Sequence, residues 1–169
     1  VNLLHNIHFQ MYGAFFSGQY EPPIRAANQM QPTVRPQYLI SDHAFLVNYL
    51  EAFYGMKAHV LIRFGKWQEI LDEPLPEYPE LFCVTHAVWQ YAKGIAHAVL
   101  GNIDKALEKQ QLLRKAVGAL PKDRIVFQND ARDILAVAGP MLAGELEYRR
   151  GNYDIAFSHL RKAVELYDE

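Results

Sequence analysis

Apolar residues along the chain recur every three to four positions, the period of a helix with one buried face, and strict alternation is scarce. Val, Ile and Thr do not gather in runs bounded by turn residues. Ala, Leu, Glu, Lys, Gln and Tyr instead fill long segments punctuated by Gly or Pro. The pattern predicts a helix over residues 3–17, stopped by Gly18. A second begins at Glu21, with Pro22 and Pro23 in a first turn where a missing N–H costs little, and ends before Pro32. Residues 32–36 read as a linker. Ser41 and Asp42, ahead of Ala44, Phe45 and Leu46, signal a helix start, and that helix is expected to reach Phe64 and stop at Gly65. A short helix over 67–71 gives way to a loop broken by Pro74, Pro76 and Pro79. Further helices are predicted over 81–100, 103–119, 129–150 and 153–167, closed in turn by Gly101, Pro121 and Gly151, with a kink at Pro140. The chain therefore reads as all-α.

Four segments share one local pattern: a long helix, a glycine, one residue, an apolar or aromatic residue, and a second helix. They are centred on Gly18-Gln19-Tyr20, Gly65-Lys66-Trp67, Gly101-Asn102-Ile103 and Gly151-Asn152-Tyr153. Glycine permits the left-handed backbone that ends a helix, and the residue two places on is expected to tuck back between the two helices. In the last unit Gly144, Gly151, Tyr153, Ala156, Leu160 and Ala163 complete the pattern; the third keeps Gly94, Gly101, Ile103 and Ala106, and the second Ala58, Gly65 and Trp67. The pattern resembles the tetratricopeptide repeat, a helix–turn–helix unit of about 34 residues. The resemblance is close from about Leu81 onward and loose before it. The turn glycines are unevenly spaced, and only the interval from Gly65 to Gly101 approaches that period.

The resemblance implies a right-handed superhelical array of about four antiparallel helix–turn–helix units, over residues 1–36, 41–79, 80–121 and 127–169, in one domain. Because such arrays end in a polar capping helix, the apolar last helix, with Ala156, Leu160, Ala163, Val164 and Tyr167, is expected to receive a further helix or a partner chain. The chain is therefore expected to be a section of a longer protein, and Val1, in place of an initiator Met, points to a processed, trimmed or subcloned chain. In this architecture the first helix of each unit lines the concave surface. The resemblance thus places His59, Ile62 and Arg63 there in the second unit, Tyr91, Ile95 and Ala98 in the third, and Met141, Glu145, Tyr148 and Arg149 in the fourth. Of these, His59, Arg63, Tyr91, Ile95, Glu145, Tyr148 and Arg149 are the candidate binding residues, for a protein partner presenting a peptide or helix.

Composition narrows the alternatives. A formal net charge of -2 gives no electrostatic reason to expect nucleic acid or an acidic membrane surface. Half the residues are apolar, enough for a continuous core. No run approaches the roughly 18 apolar residues of a membrane span, and the first residues lack the pattern of a signal peptide. The single cysteine, Cys83, rules out an intrachain disulfide and favours a reducing, cytoplasmic setting. Between Phe82 and Val84 it reads as a buried structural thiol.

Chemistry-bearing motifs are sparse. HExxH, CxxC, a phosphate-binding glycine loop and a nucleophile elbow are all lacking. His5 and His8, three apart, share a helix face, and with His43 and His59 they are the candidates for a metal or acid–base site in an alternative, enzymatic reading. His86 and His97 also share a face and read as packing residues. Asp130 with Asp133, and Glu145 with Glu147, read as solvated charge pairs. The sequence assigns no catalytic residue, metal or cofactor. Aromatic residues make up 12% of the chain, and Tyr12, Phe15, Phe16, Phe45, Tyr49, Phe53 and Tyr54 crowd its first two units, mostly as interhelical packing.

Overall fold

The computed structural model describes residues 2–40 and 43–168, the side chain of Ala44 excepted. The Ser41–Asp42 start signal, Val1 and Glu169 lie outside the described residues. Along the chain run α1 (Asn2–Phe16), α2 (Glu21–Met30), α3 (Ala44–Tyr54), α4 (Met56–Arg63), α5 (Trp67–Asp72), α6 (Cys83–Val99), α7 (Ile103–Gly118), β1 (Ile125–Val126), β2 (Asn129–Asp130), α8 (Ala131–Arg149) and α9 (Tyr153–Asp168). Short 3₁₀ turns at Gln31–Thr33 and Pro36–Tyr38 occupy the linker. Among the described residues the fold is all-α but for one two-stranded ribbon.

Four helix ends are built alike. Gly18, Gly65, Gly101 and Gly151 all have positive φ, from 64° to 82°. The residue after each donates its N–H five places back, Gln19 to Ala14, Lys66 to Leu61, Asn102 to His97 and Asn152 to Glu147, at 2.8–3.1 Å. This satisfies carbonyls that a helix end otherwise leaves bare. The next helix starts within two residues, so α1 lies on α2, α4 on α5, α6 on α7 and α8 on α9 as hairpins. Tyr20, Trp67 and Ile103 tuck back half-buried against the core as expected. Tyr153 does not: it is 54% exposed, resting edge-on against Tyr148.

Two expectations are corrected. The helix predicted over 41–64 breaks at Gly55, because its halves serve different neighbours. Helix α3 packs on α6 and β1, whereas α4 packs on α2, α5 and α6. At the break the buried Gly55 backs onto Thr85, whose Oγ1 would lie 3.5 Å from an added Cβ. The predicted helix start at Asn129 is instead strand. Ile125 pairs with Asp130 and Val126 with Asn129, and Asp130 caps α8, its Oδ1 accepting from the Arg132 N–H at 2.7 Å. Helix α8 then runs on through Pro140.

Helix α6 is the hub. Twelve of its 17 residues are buried, so it needs neighbours on nearly every side, and α3, α4, α5, α7 and α8 supply them. Its Lys93 is buried too, donating to the carbonyls of Ile70, Leu71 and Glu73 at 3.0, 2.8 and 2.6 Å. The ammonium thus closes the C-terminal end of α5, where the helix dipole favours positive charge. Desolvation lowers the Lys93 pKa.

Close helix approach rests on glycine. A Cβ at Gly94 would sit 2.7 Å from Leu142 Cδ2, and one at Gly144 would sit 2.7 Å from Leu160 and 3.1 Å from the Ala156 carbonyl. Gly13 of α1 has nothing within 4 Å. Gly144→Ala is therefore expected to destabilise by about 1–3 kcal/mol of overpacking, against about 0.5–1 kcal/mol gained in helix propensity. Gly13→Ala should stabilise by the latter amount alone. Urea unfolding of the two variants checks the pair.

Candidate functional site: an apolar groove across three hairpins

One cavity, of about 290 Å³, opens where α3, α4, α6, β1 and α8 meet. Its walls are helical stripes. Glu51, Ala52, Gly55, Met56 and His59 continue in phase across the Gly55 break; Val84, Thr85, Val88 and Tyr91 come from α6; Ile134, Leu135, Val137, Ala138 and Met141 come from α8. Spacings of three and four residues put each set on one helix face. Val126 of the ribbon closes one side.

The polar groups of this groove are kept neutral or paired. His59 is exposed at the groove, and desolvation lowers its pKa from the ordinary imidazole value. Tyr91, half-buried, is pushed up to about 12, by burial first and then by the negative charge of Glu145. Glu51, at 2% exposure, is a lone acid in the apolar helix α3. Its Oε1 accepts from the Val84 and Thr85 N–H groups, at 2.7 and 3.0 Å, and so caps the N-terminal end of α6 from a neighbouring helix. Its Oε2 lies 3.4 Å from Arg124 Nη1, which also donates to Asn48 Oδ1 at 3.3 Å. Burial raises the Glu51 pKa; the bonds from Thr85 and Val84 and the charge of Arg124 oppose that rise without cancelling it.

Of the residues assigned by resemblance, His59 and Tyr91 line the cavity together, as does Met141. Glu145 stands beyond Tyr91, half-buried and holding Arg149 Nε at 2.7 Å. Tyr148 and Arg149 are exposed near the end of α8, the guanidinium 5.8 Å from the Tyr148 ring. Arg63 lies outside the cavity, 5.9 Å from the ring of Phe15. Ile95 is a core residue at 7% exposure, and Ala98 is buried. Sequence reasoning missed Glu51, Thr85, Val88 and Met56. Glu51 had a visible signal, a single charge inside the otherwise uncharged helix of residues 44–54.

The histidines proposed for a metal are not assembled as one. His5 packs edge-on to Phe9. His8 sits among Tyr12, Phe53 and Phe127, its pKa lowered by burial and then by His5. Among the described residues, no group of three or more His, Cys, Asp or Glu side chains could hold a metal ion. The paired carboxylates are occupied as well: Asp130 caps α8, and Glu147 accepts from Arg150 and Asn152. Burial, then the charge of Glu51, raises the Cys83 thiol above its ordinary pKa, which fits a structural thiol. Among the described residues, no helix is long and apolar enough to cross a membrane.

The Glu51 carboxyl makes stability depend on pH in a defined direction. Its folded pKa lies above the ordinary carboxylate value, so its contribution is complete below that value and is lost as pH rises through the raised one. The stability advantage of wild type over Glu51→Gln should therefore be larger at about pH 4 than at about pH 7. Urea unfolding of both proteins at the two pH values measures it. An advantage that grows with pH would mean that the carboxylate form is the one the fold prefers.

Comparison of the chain with family models, with curated proteins and with solved structures finds no match.

Proposed function

We propose that this chain is a tetratricopeptide-type binding module that holds a protein partner, as an extended peptide or a helix, in the groove. The observation that carries the reading is the make-up of the cavity. Three successive first helices, the broken α3–α4 together with α6 and α8, contribute in-phase apolar stripes to one continuous concavity. A groove of that kind suits the apolar face of a helix, read as anchors three and four residues apart. The repeated glycine turns support a right-handed superhelical stacking of the hairpins, and the single cysteine supports a reducing, cytoplasmic setting.

A second contact surface is offered by α9. Tyr153, Phe157, Val164 and Tyr167 are exposed along it, at the spacing of an unpartnered helix seam. On this reading another helix stacks there.

Met141 tests the groove. It is 38% exposed on the cavity wall, so a polar replacement leaves the core intact. Met141→Glu should unfold with a midpoint close to wild type, yet a partner purified with the wild-type chain should be lost or weakened at least about tenfold. A partner held equally by both proteins would place binding elsewhere.

A further inference from the structure

The α9 seam carries charge on one flank only. Tyr153, Phe157, Leu160, Val164 and Tyr167 follow one another at alternating steps of four and three, so they form a single apolar line along the helix. Leu160 is half-buried, and the other four are 43–80% exposed. On the flank towards α8 stand Ala156 and Ala163, both buried, and Tyr148 of α8, packed on Tyr153 and Phe157, widens the apolar surface there. The opposite flank holds Asp154 and Arg161, one heptad apart and of opposite sign. Both are exposed, and neither forms an ion pair with another described residue. Lys162 and Glu165, farther round the helix, pair with each other at 3.2 Å. A two-fold contact requires a surface complementary to itself, and this flank meets that requirement. Two α9 helices laid antiparallel, with Phe157 against Leu160 of the second copy and Tyr153 against its Val164, bring each Arg161 beside the other copy's Asp154. A parallel pair would set the charged flank against the alanine flank and leave both charges unanswered. Helix α1 also exposes an apolar surface, with Leu3, Phe9, Tyr12 and Phe16 at 51–65%. It contains no Asp, Glu, Lys or Arg, so it could answer neither charge.

Resting on the reading of α9 given above, we propose that the helix stacked there is α9 of a second copy of this chain, antiparallel about a two-fold axis and set in register by two Arg161–Asp154 pairs. The apolar line supplies the adhesion, and the charges select the alignment, since exposed pairs contribute little energy but like charges penalise the alternatives. No residue of α9 lines the groove, so each copy keeps its own and the dimer presents two.

Sedimentation equilibrium of the full chain tests this. Wild type should form dimers and nothing larger, because a two-fold contact closes on itself. Asp154→Arg and Arg161→Asp each turn two attractions into repulsions and should weaken the dimer about tenfold or more. Mixed in equal amounts, the two variants should recover dimers containing one copy of each, because both contacts are then between opposite charges again. Val164→Glu, at a seam position 60% exposed, should abolish association and keep the helical circular dichroism of wild type. A wild type that stays monomeric at its highest soluble concentration would overturn the second copy and leave α9 for a helix of another protein. A dimer indifferent to Val164→Glu would overturn α9 itself as a contact surface. A dimer lost with Val164→Glu but not recovered by mixing the two charge variants would overturn the antiparallel register.

Discussion

Helix α6 can be buried along twelve of its 17 residues only if the groups it carries or leaves bare at its ends find partners inside the protein. Two buried ionisable side chains meet that demand. Glu51 of α3 supplies the acceptor for the first N–H groups of α6, and Lys93 of α6 supplies three donors to the last carbonyls of α5. A buried charge is expensive alone but tolerable where fixed dipoles and a counter-ion surround it. Glu51 has the α6 terminus and Arg124; Lys93 has the α5 terminus. These contacts are directional, so they fix where α6 sits along its neighbours, which apolar packing alone leaves free to slide. The groove inherits that placement, because α6 forms its floor between α4 and α8.

The same demands shape the connections. Where α6 must meet α8 closely, glycine at 94 makes room for Leu142, and where α8 meets α9, glycine at 144 makes room for Leu160. Where α3 must reach α6 and the ribbon while α4 stays on α2 and α5, the helix breaks at Gly55. The ribbon between α7 and α8 is anchored by Phe127, whose positive φ of 55° is uncommon outside glycine. Its ring is held among His8, Tyr49 and Phe53 at 5.2–5.6 Å. An aromatic cluster from three parts of the chain offsets the local strain and sets Val126 at the edge of the groove.

Much of this was legible in the sequence, and the losses have identifiable causes. The four turn glycines were readable because a left-handed helix end depends on one residue and its immediate neighbours. The break at Gly55 was not, since a glycine inside an apolar run reads as helix interior until the separate partners of α3 and α4 are known. The ribbon escaped because two residues per strand carry no alternation. Glu51 and Lys93 bond to residues twenty or more positions away, a relation that periodicity cannot express. In the groove, His59 and Tyr91 came from the helix-face geometry that the resemblance implies. Ile95 followed from the same geometry but is covered, since α8 closes onto α6 at neighbouring Gly94.

The central claim is that the partner lies against the groove and not the outer helices. A photo-crosslinking residue at position 134, exposed on the groove wall, and another at exposed Gln111 on α7 put the two surfaces in direct competition within one fold. The account predicts that the partner is captured from position 134 and not from 111. Capture from 111 alone would contradict it.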